Sequence, residues 1–166
     1  MSILNNNISV SIDGKRLFSF KSLKLHQSIN DHHRFELILD LETGGNRYAH
    51  NLKDSAKWIG KSFAVYAGEK SETTFLGVIT GVRLHRKNSD FGHILVSGYS
   101  ETYLLETDLN FHSWNDFTLA DIIKEITANA GVSAKINPEY TEKLDYVCQY
   151  NESDFTFIKR LALQYN

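Results

Sequence analysis

Polar and apolar residues alternate along most of the first hundred positions, which predicts strands. Ile8, Val10 and Ile12 alternate with Ser9 and Ser11, and Asp13-Gly14 is a hairpin turn signal leading into a second strand from Lys15 to Phe20. Leu23, Leu25 and Ile29 continue the period of two. The clearest strand runs from Arg34 to Leu41, with Phe35, Leu37, Leu39 and Leu41 on one side. Arg34, Glu36 and Asp40 point the other way, and only Ile38 breaks the polarity. Burying those four side chains supplies roughly 6–12 kcal/mol. Ordering the backbone costs about 1–2 kcal/mol per residue, so the strand needs a closed sheet around it.

A polar loop from Glu42 to Asn51 follows, then a short helix from Leu52 to Trp58 ended by Gly60. Residues 61–67 read as a strand with Phe63 and Val65 on one face, and Gly68 to Ser71 as a turn. Thr73 to Lys87 is long for one strand. Leu76, Val78, Val82 and Leu84 are expected to share a face, with Gly77 and Gly81 inviting a bend or bulge. Asn88 to Gly92 is the loop to Ile94, Val96 and Tyr99. Several strands, one of them long and bent, predict a small antiparallel barrel over residues 1–100.

From residue 101 the pattern changes, and residues 101–166 read in the order helix, strand, strand, helix. Thr118 to Ala130 is a predicted helix, with Thr118 and Asp121 resembling a capping box and Gly131 as its stop. Leu119, Ile122, Ile123, Ile126 and Ala130 form its apolar stripe. Val132 to Ile136 reads as a strand ended by Pro138, and Tyr146 to Tyr150 as another that breaks at Asn151. The last helix is capped by Asn151 or Ser153, with Glu152 and Asp154 at the positive end of its dipole. Its stripe is Phe155, Ile158, Leu161, Ala162 and Tyr165; Phe157 widens it, Leu163 lies off it, and Asn166 suits the turn that ends a helix.

The 166 residues suffice for one ordinary domain or two small ones. A formal net charge of −2 argues against a nucleic-acid surface. No apolar run approaches the roughly 20 residues of a membrane helix. The N-terminus lacks the basic start and apolar core of a signal peptide. Cys148 is the only cysteine, so an internal disulfide is excluded. The simplest expectation is a soluble protein made in the cytoplasm.

Candidate chemistry is thin. His32 and His33 are strand neighbours on opposite faces, and a pairing centred on Ser89-Asp90 separates His85 from His93, so no metal set is expected. Cys148 has no neighbouring base and reads as a buried, inert thiol. Glu152 and Asp154 are explained by the helix start rather than by acid–base work. No nucleophile elbow, phosphate loop or dinucleotide fingerprint occurs. Phe111, Trp114 and Phe117, which lead into a helix, read as packing or a subunit interface rather than a stacking platform.

The segment YNESDFTFIKRLALQYN resembles the Tyr-x-Glu-Ser/Thr-Asp-Phe-x-Phe-Ile/Leu-x-Arg-Leu segment of VgrG proteins of type VI secretion. Phage tail-hub proteins of the late control protein D kind share a related segment. The matching positions are Tyr150, Glu152, Ser153, Asp154, Phe155, Phe157, Ile158, Arg160 and Leu161. Phe35 to Leu39, Trp58 to Lys61 and Phe75 to Thr80 match the family's upstream elements in the same order. At the C-terminal end, Leu163, Gln164, Tyr165 and Asn166 stand where many relatives carry an acidic run and a glycine.

The resemblance implies an α+β, mainly β fold: a small antiparallel β-barrel, then part of an α/β insertion domain, as in contractile-tail hub proteins. Relatives are about twice this length before their spike, so the chain would be the first half of a hub. Part of the final helix would then be exposed and favour self-association. The implied function is structural. A VgrG-like spike/hub homotrimer joins tube and baseplate to the puncturing spike and delivers effectors, with no catalytic residue, metal or cofactor. Implied partners are other copies of the chain, an Hcp-like tube protein and baseplate proteins. Effectors and a tip protein would attach through further domains, with no nucleic acid and no direct membrane anchor. Such a hub is cytoplasmic when assembled and exported or extracellular on firing. The alternative is a β-rich carbohydrate- or protein-binding module using Trp58 or Trp114.

Overall fold

The computed structural model describes residues 8–40, 52–68, 72–85 and 92–165. The chain divides into two compact units, residues 1–100 and 101–166. Expectations for Leu41, the loop from Glu42 to Asn51, most of the turn ending at Ser71, the loop after His85 and Asn166 fall outside the described residues.

The first unit is one seven-stranded antiparallel sheet, curled into a half-barrel. Its strands are β1 (Ser9–Ile12), β2 (Lys15–Arg16), β3 (Ser22–His26), β4 (Arg34–Asp40), β5 (Ser62–Ala67), β6 (Glu72–His85) and β7 (His93–Ser100). Their order across the sheet is β2-β1-β5-β6-β7-β4-β3. Asp13 and Gly14 both take positive φ between Ile12 and its partner Lys15, the backbone that a two-residue hairpin demands. The second strand ends at Arg16, short of the expected Phe20, and the Leu17 amide continues the ladder to the Val10 carbonyl at 2.8 Å. Ile29 lies beyond β3 and is exposed. Between β4 and β5, α1 (Leu52–Ser55) runs into a 3-10 turn, Ala56–Trp58, and Gly60 follows with φ +81°.

The buried face of β6 differs from the expected one. Phe75 and Ile79 are in the core, whereas Leu76 is exposed. The reason lies in two bulges, both on β6. Pairing with β5 passes over Thr74, and pairing with β7 passes over Thr80. Each extra residue reverses which side of the strand faces inward, so Val82 again packs on the core. The bulges also bend β6, which helps the sheet curl. Inside the curl, Phe35 and Phe63 stack with centroids 3.8 Å apart, and Phe75 meets both rings edge-on. Gly98 stands opposite Phe35, where a Cβ would lie 2.6 Å from the ring.

The second unit opens with a 3-10 segment, Glu101–Glu106. It contains β8 (Asn110–Trp114), β9 (Phe117–Thr118), α2 (Leu119–Asn129), β10 (Lys143–Leu144), β11 (Val147–Glu152) and α3 (Asp154–Tyr165). β8 pairs with β11, and β9 with β10. The Thr118 hydroxyl accepts from the Asp121 amide at 3.2 Å and donates to the Asp121 carboxylate, and Gly131 takes φ +68° after the helix. The strand expected at Val132 to Ile136 does not form a ladder: residues 132–138 belong to no helix or strand. β11 does not stop at Asn151. That residue sits with φ +51° at a bulge, and pairing resumes at Glu152.

The stripe of α3 is centred elsewhere than expected. Phe157 and Leu161 are its fully buried residues, while Phe155, Ile158 and Tyr165 are half-buried at the flanks and Leu163 is exposed. These side chains join Trp114, Leu119, Ile122, Ile126, Val132, Leu144 and Val147 in a second core.

Candidate functional site

The nine motif positions between Tyr150 and Leu161 span the end of β11 and the first two turns of α3. Ser153 is the cap: its Oγ accepts from the Thr156 amide at 3.1 Å. Asp154 takes a different part from simple dipole compensation. Its Oδ1 accepts from the Gln149 amide nitrogen at 2.8 Å and from Asn110 Nδ2 at 2.9 Å, linking β11, α3 and β8.

Glu152 also does more than sit at a helix start. Its carboxylate accepts from Arg160 Nη2 at 2.6 Å and from Nε at 3.3 Å, and the same Nη2 donates to the Cys148 carbonyl at 2.8 Å. The hydrogen bond with Glu152 raises the Arg160 guanidinium above its ordinary value, against the opposing pull of burial. The Arg160 guanidinium carbon lies 5.1 Å from the centre of the Phe157 ring, which itself stacks on Trp114. The motif therefore ties a strand to a helix through side-chain forks and one aromatic stack.

Other singled-out residues are dispersed. His32 is buried with its ring edge-on to Tyr99, and the His33 amide donates to Ser100 Oγ. His93 Nε2 lies 2.8 Å from Lys21 Nζ. The register pairs His85 with His93, one residue away from the pairing expected about Ser89-Asp90. Among the described residues, no group of three or more His, Cys, Asp or Glu is placed to hold a metal ion.

Cys148 is half-buried rather than buried. Contact with its thiol is the main cause raising the neighbouring Tyr146 hydroxyl above its ordinary value, while Ser113 opposes. Phe111 is exposed and meets Tyr150 edge-on across the ribbon. Trp114 is buried, and Trp58 is half-buried against the first core.

Residues missed in the sequence are Asn110 and Gln149. Gln149 is almost wholly buried yet polar, two positions from Val147 on the inward face of β11. That alternation was the available signal. The second unit also holds a polar notch of about 260 Å³ near His112, Glu125 and Asn129, where Trp114 Nε1 donates to Glu125 Oε2 at 3.3 Å. An apolar groove of about 360 Å³ lies among α2, α3 and residues 132–138. No described helix is long and apolar enough to cross a membrane.

A curled antiparallel sheet followed by a small helix-and-ribbon unit, with its motif residues spent on internal bonds, is the mainly β fold found in tail hub proteins. The chain belongs to the phage tail baseplate hub (GPD) family, whose model matches residues 27–165. Its fold is similar to that of the 43 kDa tail protein of prophage MuSo2 from Shewanella oneidensis. The TM-score is 0.76 at 18% identity, covering 96% of this chain and 48% of that one. The tail protein from Neisseria meningitidis MC58 gives 0.65 at 14% identity, covering 91% and 43%. The E. coli c3393 protein, described as a component of the type VI secretion system, gives 0.58 at 16% identity, covering 92% and 42%. The chain thus spans about half the length of these structures. No curated protein matches it.

Proposed function

We propose that the chain builds the N-terminal part of a VgrG-like spike/hub in a contractile injection machine. In this reading three copies form a ring that joins the tube and baseplate to a puncturing spike. The carrying observation is the hub-family match over residues 27–165, with the tail-protein fold shared along 96% of the chain. The motif geometry supports a mechanical role. Both Glu152 oxygens bind Arg160, and Asp154 Oδ1 binds two amides, so these carboxylates hold the fold rather than offer themselves to a substrate.

Force comes from elsewhere, and the hub contributes shape: strand edges presented about an axis are satisfied by neighbouring copies. Partners in this reading are other copies, an Hcp-like tube protein and baseplate proteins, with effectors and a tip protein attached through further domains. The particle assembles in the cytoplasm and is exported on firing. No enzymatic step belongs to this chain. The test is light scattering on the full-length protein together with capture of its purified tube protein. A trimer that binds tube protein supports the reading; a monomer that does not bind it ends the reading.

A further inference from the structure

Glu125, Gln149 and Asp154 meet at the polar notch of about 260 Å³ beside the β8–β11 ribbon, together with Asn110, His112 and Trp114. Gln149 is only 2% exposed, yet polar. Its Nε2 donates to the Glu152 carbonyl at 3.2 Å and to Asp154 Oδ1 at 2.8 Å, which uses both amide hydrogens and fixes the way the amide points. Its Oε1 has no hydrogen-bond partner among the described residues and is not sealed from solvent, so this oxygen faces the notch that Gln149 lines. Glu125 is half engaged in the same way. Its Oε2 accepts from Trp114 Nε1 at 3.3 Å, while Oε1 lies 3.9 Å from His112 Nε2, beyond hydrogen-bond reach. Asp154 adds a second negative charge, with Oδ1 already bound to Gln149 and Asn110. No lysine or arginine is among the described residues lining the notch.

Two carboxylates and an unpartnered oxygen on an almost wholly buried side chain make a site that accepts hydrogen bonds and lacks a cation. The group that fits is cationic, rich in donors and without acceptors of its own, which describes a guanidinium. The His112 ring, centred 4.3 Å from that of Trp114, gives a flat surface against which a planar cation can lie. A free arginine would bring a carboxylate that no lining cation receives, and would set it near two like charges. An arginine inside a polypeptide carries no such group. We propose that this notch receives an arginine side chain of a partner polypeptide. Glu125 Oε1 and Gln149 Oε1 are its acceptors, and Asp154 supplies charge while its Oδ1 stays with the two amides. The inference concerns the second unit alone, so its failure leaves the hub reading untouched.

The probe is N-acetyl-arginine amide, titrated into the whole chain while NMR follows the indole and side-chain amide N–H signals. Those of Trp114 and Gln149 are expected to shift together and to saturate at millimolar probe. N-acetyl-citrulline amide, alike in shape but uncharged, should leave them in place. N-acetyl-lysine amide should bind more weakly for want of the planar fork. Glu125→Gln keeps an acceptor for the Trp114 indole and should weaken the arginine probe about fivefold, a modest loss because Glu125 is 41% exposed. Absence of a saturable shift in the parent chain would overturn the proposal, as would equal binding of the citrulline or lysine probe, or unchanged affinity in Glu125→Gln. Tighter binding of free arginine than of the capped amide would overturn the choice of occupant.

Discussion

Phe157 stacks on Trp114 with ring centroids 5.2 Å apart and planes 15° from parallel, making one aromatic pair the joint between α3 and the β8–β11 ribbon. Both rings are almost wholly buried. Removing one leaves a cavity as well as lost apolar contact. Phe157→Ala is expected to destabilise the second unit by about 3–5 kcal/mol, and Phe157→Leu by less. Urea unfolding followed at Trp114 measures both. Equal stability of Phe157→Ala and the parent chain would show that the stack is not a support.

The Glu152–Arg160 fork has a smaller expected effect. Arg160 remains 44% exposed while Glu152 is only 16% exposed, so water screens part of the attraction. A double-mutant cycle with Glu152→Gln and Arg160→Gln should give a coupling near the upper end of exposed pairs, about 1 kcal/mol. The raised Arg160 value fixes the sign of its pH dependence. The cation's contribution is complete below the guanidinium's ordinary unfolded value and is lost only as pH climbs past the still higher folded value. From neutral to moderately alkaline pH the coupling should therefore stay constant. A coupling that fades between about pH 7 and pH 9 would show that Arg160 is not the partner.

Two glycines should answer differently to the same change. At Gly98 an added methyl would press on the Phe35 ring and on the Val78 carbonyl, in the middle of the first core. Gly98→Ala is expected to cost about 3 kcal/mol or more, or to prevent folding. Gly14 has open space around it and φ +72°, so Gly14→Ala meets only the backbone penalty, about 1–2 kcal/mol. Thermal unfolding and soluble yield separate the two. A Gly98→Ala variant as stable as Gly14→Ala would contradict the close approach of β4 and β7.

Much of this architecture was legible in residue order alone. β4 was readable because Phe35, Leu37 and Leu39 obey a strict period of two, and α2 because Thr118 and Gly131 mark its ends. The inward face of β6 was not, since Thr74 and Thr80 look like any strand residue until pairing with β5 and β7 makes them surplus. β8 escaped because its aromatic residues split between a buried Trp114 and an exposed Phe111, which blurs the expected polarity. At Val132 to Ile136 local preference favoured a strand and no neighbour supplied one. The motif was recognisable by its spacing, but its mechanics were not. Gln149 and Asn110 meet Asp154 only once the ribbon has formed.

Thr80 carries a lesson about length. Because Thr80 is surplus to the pairing, losing it would leave a regular, unbroken ladder with β7 and keep Val82 opposite the buried Val96, so what the residue supplies is the local bend and not the facing of its neighbours. A single residue that pairs with nothing is thus a device for curvature. Exchanges between hub sequences at this strand should preserve the number of residues between Ile79 and Val82 more strictly than their identity.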